Sequence, residues 1–596
     1  MGDLRTGAEE IRWDLTDLYD DTGALKADLK RAEDEAAGFA AEFRGKIKSL
    51  GADDLATVLR RFEAIQDRAG RAYTYAYLHW STATHESSRG ALLQEVREAY
   101  TRIGKELLFL ELEWIEIDSI RAAVLLEEEA LSPFRHYLEL QRLSKEYVLS
   151  EKEEKILVET AVTGPAAWTR FFSETTAAMR FRFDGKELTQ QQILSKLYEG
   201  DREVRRRAAL GFTEGLEANE RTLTFVFNTL LADKASRDRM RGYPHWIKSR
   251  NLANEILDET TEALISAVTS RYDLVARYYA LKRSLLGLDE FYDWDRYASV
   301  GETDTRYTWK QARDLVLDAY GNFDDRMGEI ARYFFDGNWI DAPIVPGKRG
   351  GAFSHGAVPS AHPYILLNYD GKPRDVQTLA HELGHGIHQY VSRRQGLQAD
   401  TPLTTAETAS VFGEMLVFER LMDMETDSQN ELVLLVSKID DTLATVFRQV
   451  AMNRFEDRIH TYRREKGELS SEHLADIWIE TQEAMYSGSV TLGDHYRRWW
   501  SYIPHFLHTP GYVYAYAFGE LLVLALYERY LQDQASFPQK YLALLAAGGS
   551  DWPHVLVGRF GIDLNDPRFW YQGLHAIEKL ITRAEDLSKA VCAPGS

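Results

Sequence analysis

Cysteine, proline and long apolar runs are scarce in this 596-residue chain. The single cysteine, Cys592, excludes an intramolecular disulfide and favours a reducing compartment. No segment reaches the roughly 20 consecutive apolar residues of a membrane span, and the N-terminus lacks the apolar core of a secretory signal. We therefore expect a cytoplasmic protein without a membrane partner.

Basic residues are also fewer than acidic residues. The chain has 71 Lys and Arg against 93 Asp and Glu, which gives a formal net charge of −22. Nucleic acids and anionic membranes bind proteins through clustered positive charge, so neither is expected as the main partner. The acidic surplus favours solubility and would attract basic peptides.

Amphipathic stretches with apolar residues at helical spacing make up most of the chain. They cover residues 25–48, 53–77, 88–115 and 202–237. Strand-like stretches are few, and the clearest are 179–183 and 364–367. We predict a mainly α protein with a small sheet. A boundary near residue 200 would separate an N-terminal helical domain (1–200) from a C-terminal part (201–596) that carries every candidate ligand.

The pentapeptide His381-Glu382-Leu383-Gly384-His385 is the most informative motif in the chain. Two histidines four residues apart on a helix project from one face, about one turn apart. That spacing lets both imidazoles bind one Zn²⁺ and leaves Glu382 beside the position where a water would bind. An activated water and a neighbouring carboxylate base are the minimal equipment for hydrolysing an amide. The motif therefore predicts a zinc site of a metallopeptidase.

The flanking residues place this motif in the middle of a helix. Asp375 is the expected N-cap, after Pro373, and Gly396 is the expected residue just past the helix end. Gly384 and Gly386 each lower helix propensity, by about 1 kcal/mol. Two such residues beside the histidines indicate that another helix or a substrate backbone packs closely there.

A catalytic zinc needs a third protein ligand. A third histidine ten residues after His381 is excluded, because that position is Val391. His388 lies two turns from His381, too far to share one ion while His385 stays bound. We therefore expect His388 to pack near the site and not on the metal.

Glu407 is the better candidate for the third ligand, because it opens a predicted second helix that can return a carboxylate to the metal. The same residue fits the N3 position of a capping box that begins at Thr404. The residues alone leave both interpretations open. Glu414 lies two turns further on the same face and either orients a ligand histidine through its second ring nitrogen or faces solvent.

Residues 348–354 and 364–367 predict a pair of short strands upstream of the motif. An edge strand of this kind can bind the backbone of a peptide substrate by strand addition. The alternative is a simple structural hairpin. Lys348 and Arg349 are alternative partners for a substrate carboxylate.

The metal motif, the strand before it and the segment around Glu407 together resemble the thimet-oligopeptidase-type zinc metallopeptidases, and among them the oligoendopeptidase F branch. The resemblance extends over nearly the whole chain, through residues 13–19, 150–157, 164–172, 249–252, 364–369, 375–389 and 406–414. It implies a zincin-like fold with two largely helical halves around a deep substrate channel and a small sheet beside the metal helix. It also implies one Zn²⁺ held by His381, His385 and Glu407, with Glu382 as general base.

The resemblance adds a histidine- and tyrosine-rich segment, residues 503–516, to the active site. It implies that His505 and Tyr516, and then Tyr512, stabilise the oxyanion that forms during peptide hydrolysis. Tyr512 and Tyr516 would share a helical face, whereas Tyr514 would not. Without the resemblance, an aromatic stripe in the core is the better explanation of these tyrosines.

The function expected from these observations is a zinc-dependent oligoendopeptidase. It would cut internal bonds of short unstructured peptides with a metal-activated water. A carboxypeptidase of the same fold, a metal enzyme with a non-peptide substrate and a non-catalytic peptide-binding protein are the alternatives. The intact Glu382 argues against the last, because binding needs no base. No feature of the sequence predicts an oligomeric state.

Overall fold

The computed structural model describes residues 5–143, 145–301 and 305–591, so that Cys592 lies outside the described residues. The chain forms two compact units. Unit 1 contains Met1–Lys145, Asp304–Asp423 and Arg529–Ile562, and unit 2 contains Glu146–Thr303, Met424–Glu528 and Asp563–Ser596.

The first segment of unit 1 is helical. Its helices are α1 (Thr22–Phe43), α2 (Ala52–Ser81), α3 (Ser87–Leu107), α4 (Phe109–Glu116), α5 (Ser119–Leu126) and α6 (Arg135–Leu143). Short 3₁₀ helices cover Ile47–Ser49 and Glu129–Phe134. The carboxylate of Asp21 caps α1 by accepting the backbone N–H groups of Gly23 and Ala24. Helices α1, α2 and α3 pack on one another through their apolar faces to form the core of this segment.

The first segment of unit 2 carries a two-stranded sheet among helices. Its elements are α7 (Glu151–Ala161), α8 (Pro165–Ala178), β1 (Phe181–Phe183), β2 (Lys186–Leu188), α9 (Gln190–Ser195), α10 (Arg202–Glu217), α11 (Glu220–Arg241), α12 (Lys248–Ala253), α13 (Asp258–Thr269) and α14 (Asp273–Leu285). Strands β1 and β2 are antiparallel, with Phe181 opposite Leu188.

The second segment of unit 1 contains the predicted motif. Its elements are α15 (Trp309–Phe323), α16 (Asp325–Asp336), β3 (Ile340–Asp341), β4 (Phe353–His355), β5 (Tyr364–Leu366), α17 (Pro373–Ser392), α18 (Leu403–Ala406) and α19 (Thr408–Met424). The three strands form a sheet in the order β3-β5-β4, parallel between β3 and β5 and antiparallel between β5 and β4. Both β4 and β5 contact α17.

The remaining segments are again helical. Unit 2 continues with α20 (Ser428–Leu443), α21 (Gln449–Glu465), α22 (Ser471–Tyr486), α23 (His505–His508) and most of α24 (Tyr514–Gln532), whose last residues belong to unit 1. Unit 1 then contains α25 (Phe537–Ala547) and α26 (Pro553–Gly558), and unit 2 ends with α27 (Pro567–Val591). A π-helical turn, Ala444–Arg448, joins α20 to α21. The core of unit 2 is rich in aromatic side chains, including Trp478, Trp499 and Trp500.

The predicted mainly α class with a small sheet beside the motif helix is confirmed. Three of the predicted long helices end early or divide. Helix α1 ends at Phe43 and not at residue 48. The helix predicted for 88–115 divides at Leu108 into α3 and α4, and the helix predicted for 202–237 divides at Ala218 and Asn219 into α10 and α11. Among the described residues, every helix is too short or too polar to span a bilayer.

Candidate active site

The motif lies in the middle of α17, as predicted, but the helix begins and ends elsewhere. Pro373 is its first residue, where a missing N–H costs nothing, and Lys372 occupies the N-cap position. Asp375 is therefore not the N-cap. Its carboxylate lies at N3 and accepts the backbone N–H groups of Lys372 (2.9 Å) and Asp370 (3.0 Å). The helix ends at Ser392, and Arg393–Gln398 continue as a 3₁₀ segment that contains Gly396.

The two glycines of the motif allow other elements to approach α17 closely. A Cβ atom on Gly384 would lie 2.3 Å from the carbonyl oxygen of Ala409 and 2.7 Å from the Cα of Ser410. A Cβ atom on Gly386 would lie 2.6 Å from the ring of Phe334. The close neighbour of Gly384 is therefore the backbone of α19. This contact brings the start of α19 against the histidine face of α17.

His381, His385 and Glu407 lie together in unit 1. Glu407 Oε2 lies 3.5 Å from His381 Nε2 and 3.3 Å from His385 Nε2. One ligand atom from each residue falls within 4.8 Å of the others. Two imidazole nitrogens and a carboxylate oxygen at these distances can hold a metal ion. We call these three residues the candidate metal cluster.

Glu407 lies in the break between α18 and α19 and is not part of a capping box. The turn Leu403–Ala406 starts after Pro402, so Thr404 lies inside it and not at an N-cap. Glu407 Oε2 accepts the hydroxyl of Ser410 at 2.6 Å. Of the two interpretations of Glu407, the capping box is thus wrong, and the carboxylate faces the histidines.

Glu414 lies on α19, about two turns after Glu407, and contacts the metal-cluster residue His381. Its Oε2 lies 3.4 Å from His381 Nδ1, the ring nitrogen that faces away from Glu407. A carboxylate on the second nitrogen fixes the orientation and tautomer of a metal-binding imidazole. The predicted orienting contact of Glu414 is therefore present.

The electrostatics of the cluster favour a bound cation. Burial tends to raise the pKa of Glu407, but the hydrogen bond from His385 and the charges of both histidines lower it to about 2. Burial tends to lower the pKa of His381, but the hydrogen bond to Glu414 and the charges of Glu407 and Glu414 raise it to about 9. The site thus keeps an ionised carboxylate and stabilises positive charge on its imidazoles.

Glu382 lies on the same turn of α17 as His381 and is buried, with 8% of its surface exposed. Burial raises its pKa, although the charges of His381 and His385 and a hydrogen bond from the backbone N–H of Ser354 oppose the shift. A raised pKa brings a carboxylate closer to the range where it can take up and release a proton near neutral pH.

A cavity of about 400 Å³ borders this glutamate within unit 1. Glu382 and His385 line it together with Ser354, His388 and Gln389. The Ser354 hydroxyl donates to Gln389 Oε1 at 2.7 Å, which ties the edge strand β4 to α17. The cavity is large enough for part of a peptide substrate.

His388 lies at this cavity and not in the metal cluster, as expected. It is 7% exposed, and burial lowers its pKa to about 4, so that the ring is neutral at physiological pH. The predicted pair of strands is also confirmed as β4 and β5. Lys348, in contrast, is unsuited to a substrate carboxylate, because it is buried in an ion pair with Asp341 at 2.6 Å.

His505, Tyr512 and Tyr516 lie together in unit 2. Tyr516 Oη and His505 Nε2 are 3.4 Å apart, and the rings of Tyr512 and Tyr516 meet edge to face with centroids 4.9 Å apart. The rings of His505 and Tyr512 are nearly parallel, 6.2 Å apart. We call these residues the histidine–tyrosine group. The structure therefore brings together the three residues of the predicted segment.

Tyr514 points away from the histidine–tyrosine group. It is fully buried, its hydroxyl donates to Asn251 Oδ1 at 2.8 Å, and it accepts from Asn254 Nδ2 at 2.8 Å. The prediction that Tyr514 does not share a face with Tyr512 and Tyr516 is confirmed.

Sequence reasoning missed two serines of the site. Ser410 hydrogen-bonds Glu407, and its position three residues later on a helix is a usable signal for such a contact. Ser354 lines the same cavity as Glu382 and bonds to Gln389 on α17, and no side-chain pattern indicates that position.

Comparison with known proteins assigns the family. The model of peptidase family M3 matches residues 195–576, and the model described as Oligopeptidase F matches residues 113–181. The chain belongs to peptidase family M3. It is therefore a metallopeptidase of the oligopeptidase type, and the predicted enzyme class and family resemblance are confirmed.

This family member is similar to bacterial oligopeptidases over almost its whole length. It is 27% identical to oligopeptidase PepF of Bacillus subtilis, covering 97% of this chain and 87% of the relative. It is 28% identical to group B oligopeptidase PepB of Streptococcus agalactiae, covering 98% and 99%.

Solved structures share the fold. A protein of Chlamydophila abortus, described provisionally as a peptidase, superimposes with a TM-score of 0.86 at 25% identity, over 97% of this chain and 98% of that protein. Oligoendopeptidase-F of Enterococcus faecium superimposes with a TM-score of 0.69 at 22% identity, over 95% and 98%.

Proposed function

We propose that this M3 peptidase is a zinc-dependent oligoendopeptidase that cuts internal bonds of short, unstructured peptides. The observation that carries the proposal is the candidate metal cluster with a buried carboxylate, Glu382, on the same helical turn. The names of the relatives, oligopeptidase and oligoendopeptidase, support the preference for short peptides.

The donor set suits zinc. Two imidazoles and one carboxylate leave one position of a tetrahedral ion open, which is the usual arrangement of a catalytic zinc. When bound by His381, His385 and Glu407, zinc would supply Lewis acidity and lower the pKa of a bound water. Glu414 contacts the second ring nitrogen of His381, and the Ser410 hydroxyl donates to the Glu407 carboxylate. These contacts fix the orientation of both ligands.

Glu382 is proposed as the general base. Its carboxylate would accept a proton from the attacking water as the new C–O bond forms. It would then donate that proton to the leaving amine nitrogen as the C–N bond breaks. The burial of the side chain restricts the orientation of this carboxylate.

His505, Tyr516 and then Tyr512 are proposed to stabilise the oxyanion of the scissile carbonyl. An imidazole N–H and phenol O–H groups are suitable donors, and their contacts with one another restrict their orientation. The assignment rests on the family resemblance of this segment together with the geometry inside unit 2.

Strand β4 is proposed to bind the substrate backbone. It is the edge strand of its sheet, and its middle residue, Ser354, lines the same cavity as Glu382. A peptide added to this edge would lie beside the proposed base.

The proposal also covers the domain division, the location and the partners of the protein. The family matches on either side of residue 190 support a division into an N-terminal helical domain, 1–200, and a catalytic part, 201–596. We also propose a cytoplasmic location and peptides as partners, in place of nucleic acids or membranes.

Mass spectrometry of a graded pool of peptides tests the proposal. The pool would run from short peptides to a folded protein and would be incubated with zinc-loaded and with metal-stripped enzyme. We expect internal cuts confined to the shorter peptides, and only with zinc-loaded enzyme. Single residues lost from C-termini would assign a carboxypeptidase instead. The absence of cuts by zinc-loaded enzyme would refute the proposal.

A further inference from the structure

A small cavity in unit 2 contains two arginines and several tyrosines that the proposed reaction does not use. Its volume is about 130 Å³, and its lining includes Arg296, Arg448, Tyr297, Tyr486 and Asp440. The π-helical turn Ala444–Arg448 forms one wall. Such turns are rare and often occur at functional sites.

Arg296 is buried and holds the tyrosines in place. Its Nη1 donates to Tyr486 Oη and its Nη2 to Tyr297 Oη, both at 2.8 Å, and its Nε donates to the carbonyl of Asp293 at 2.9 Å. The phenol oxygens accept these bonds, so each O–H can be donated to a further acceptor. The cavity therefore presents hydrogen-bond donors.

Arg448 ends the π-helical turn and adds a second positive charge. Its Nε is buried and has no hydrogen-bond partner among the described residues. Within the described part of the chain, neither Arg448 nor Arg296 forms an ion pair with a carboxylate. Arg202 and Arg205 already occupy the carboxylate of the neighbouring Asp295, at 2.7 and 3.3 Å.

Asp440, a carboxylate that lines the cavity, already has a cationic partner. It accepts Lys282 Nζ at 2.6 Å and Tyr278 Oη at 2.7 Å. A guanidinium group that is withdrawn from water without a matched negative charge is energetically costly. An anion in the cavity would remove that cost.

We propose that this cavity binds one small anion through the guanidinium of Arg448 and the hydroxyls of Tyr297 and Tyr486. The anion is a carboxylate or a halide-sized inorganic ion. The volume is sufficient, because a water molecule takes about 30 Å³ of the liquid. A chloride ion or a carboxylate with a few waters therefore fits.

The charge of Arg448 acts on His505 of the histidine–tyrosine group. Burial lowers the pKa of His505, and the positive charges of His508 and Arg448 lower it further. An anion on Arg448 would offset part of that effect and make the His505 ring easier to protonate. This link to catalysis rests on the proposed function, whereas anion binding itself does not.

Thermal unfolding of the full-length, zinc-loaded protein tests the binding without measuring activity. Chloride and acetate would be titrated separately against a bulky organic anion at constant ionic strength. We expect the Tm of the wild type to rise saturably by about 1–3 °C. Arg448→Met should lose that rise and be at least as stable as the wild type when small anions are absent. Arg182→Met, an exposed arginine on β1, is the matched control and should respond like the wild type.

A second measurement protects the test against a variant that fails to fold. Chlorine NMR line broadening by the wild-type protein should appear and should be reversed by acetate. A wild type that shows neither a saturable Tm rise nor line broadening would overturn the proposal. An unchanged anion response in Arg448→Met would do the same.

Peptides with free or amidated C-termini identify the source of the anion. If the anion is a peptide carboxylate, amidation should raise KM by roughly tenfold in the wild type and not in Arg448→Met. If it is an inorganic ion, both peptides should behave alike and kcat/KM should follow the chloride concentration. An intact anion response in a protein that cleaves no peptide would refute the proposed function and leave the anion site standing.

Discussion

The candidate metal cluster of unit 1 and the histidine–tyrosine group of unit 2 are built on different scaffolds. In the cluster, His381 and His385 are one turn apart on a single helix, and only Glu407 comes from another element. In the histidine–tyrosine group, His505 belongs to the four-residue helix α23, and Tyr516 belongs to α24. Tyr512 lies in the turn between them.

This difference determines what supports each site. Helix periodicity alone sets the geometry of the two histidines, and the contact of Gly384 with Ala409 sets the position of Glu407. The turn before α24 has no such regularity and depends on tertiary contacts. The buried carboxylate of Glu456 provides one of them by accepting the backbone N–H of Gly511 at 2.8 Å.

Removal of one phenol hydroxyl should produce the largest effect in the histidine–tyrosine group. We expect Tyr516→Phe to lower kcat by roughly 10²-fold with little change in KM, because a donor to the oxyanion acts in the transition state. Tyr514→Phe is the matched control two residues away. It should lower Tm through its lost bonds to Asn251 and Asn254 and leave kcat nearly unchanged. Equal losses of kcat in the two variants would contradict the assignment.

Neutralising the carboxylate behind His381 should have a smaller effect, in the metal cluster. We expect Glu414→Gln to weaken zinc binding by roughly 10- to 100-fold, since such outer contacts orient the ligand ring and raise its basicity. Competition with a chelator of known affinity measures this change. At saturating zinc the variant should recover most of its turnover. Unchanged zinc affinity would show that Glu414 does not support the cluster.

The contact of Glu456 with the turn of the histidine–tyrosine group should make the stability of the folded protein depend on pH. Burial raises the pKa of Glu456 from 4.5 to about 8, although the Gly511 N–H and the charges of Arg250 and Lys234 oppose the shift. The folded state thus binds a proton that the unfolded state has lost. The corresponding stability is full below pH 4.5 and is lost as the pH rises through about 8.

Glu456→Gln should remove this dependence. We expect its Tm to exceed that of the wild type by a few degrees above pH 8 and to match it near pH 5. Unfolding curves over this pH range provide the measurement. A constant difference between the two proteins at every pH would show that Glu456 does not titrate in this range.

The same contrast explains how much of the site could be predicted from the sequence. The spacing of His381 and His385 was sufficient for the helix and its histidine face, and Gly384 correctly indicated a close neighbour. The residues alone could not separate a ligand from a capping residue at Glu407, because that choice depends on where α18 begins. Asp375 was assigned to the wrong position since Pro373 can itself start a helix.

Other contacts depend on packing that no local pattern records. Lys348 is buried against Asp341 because the two residues meet where β3 joins its loop. Ser354 lies at the cavity beside Glu382 because the edge strand packs on α17. Tyr514 is kept apart from Tyr512 and Tyr516 by its hydrogen bonds to Asn251 in α12 and to Asn254 just after it.

The most direct test of the account is the Glu382→Gln variant, with zinc content and peptide turnover measured on the same sample. The amide keeps the size of the side chain and cannot act as the base. We predict about one zinc per chain, as in the wild type, an unchanged Tm, and turnover reduced by roughly 10²- to 10⁴-fold. A zinc-loaded variant that retains more than about a tenth of wild-type turnover would contradict the central claim.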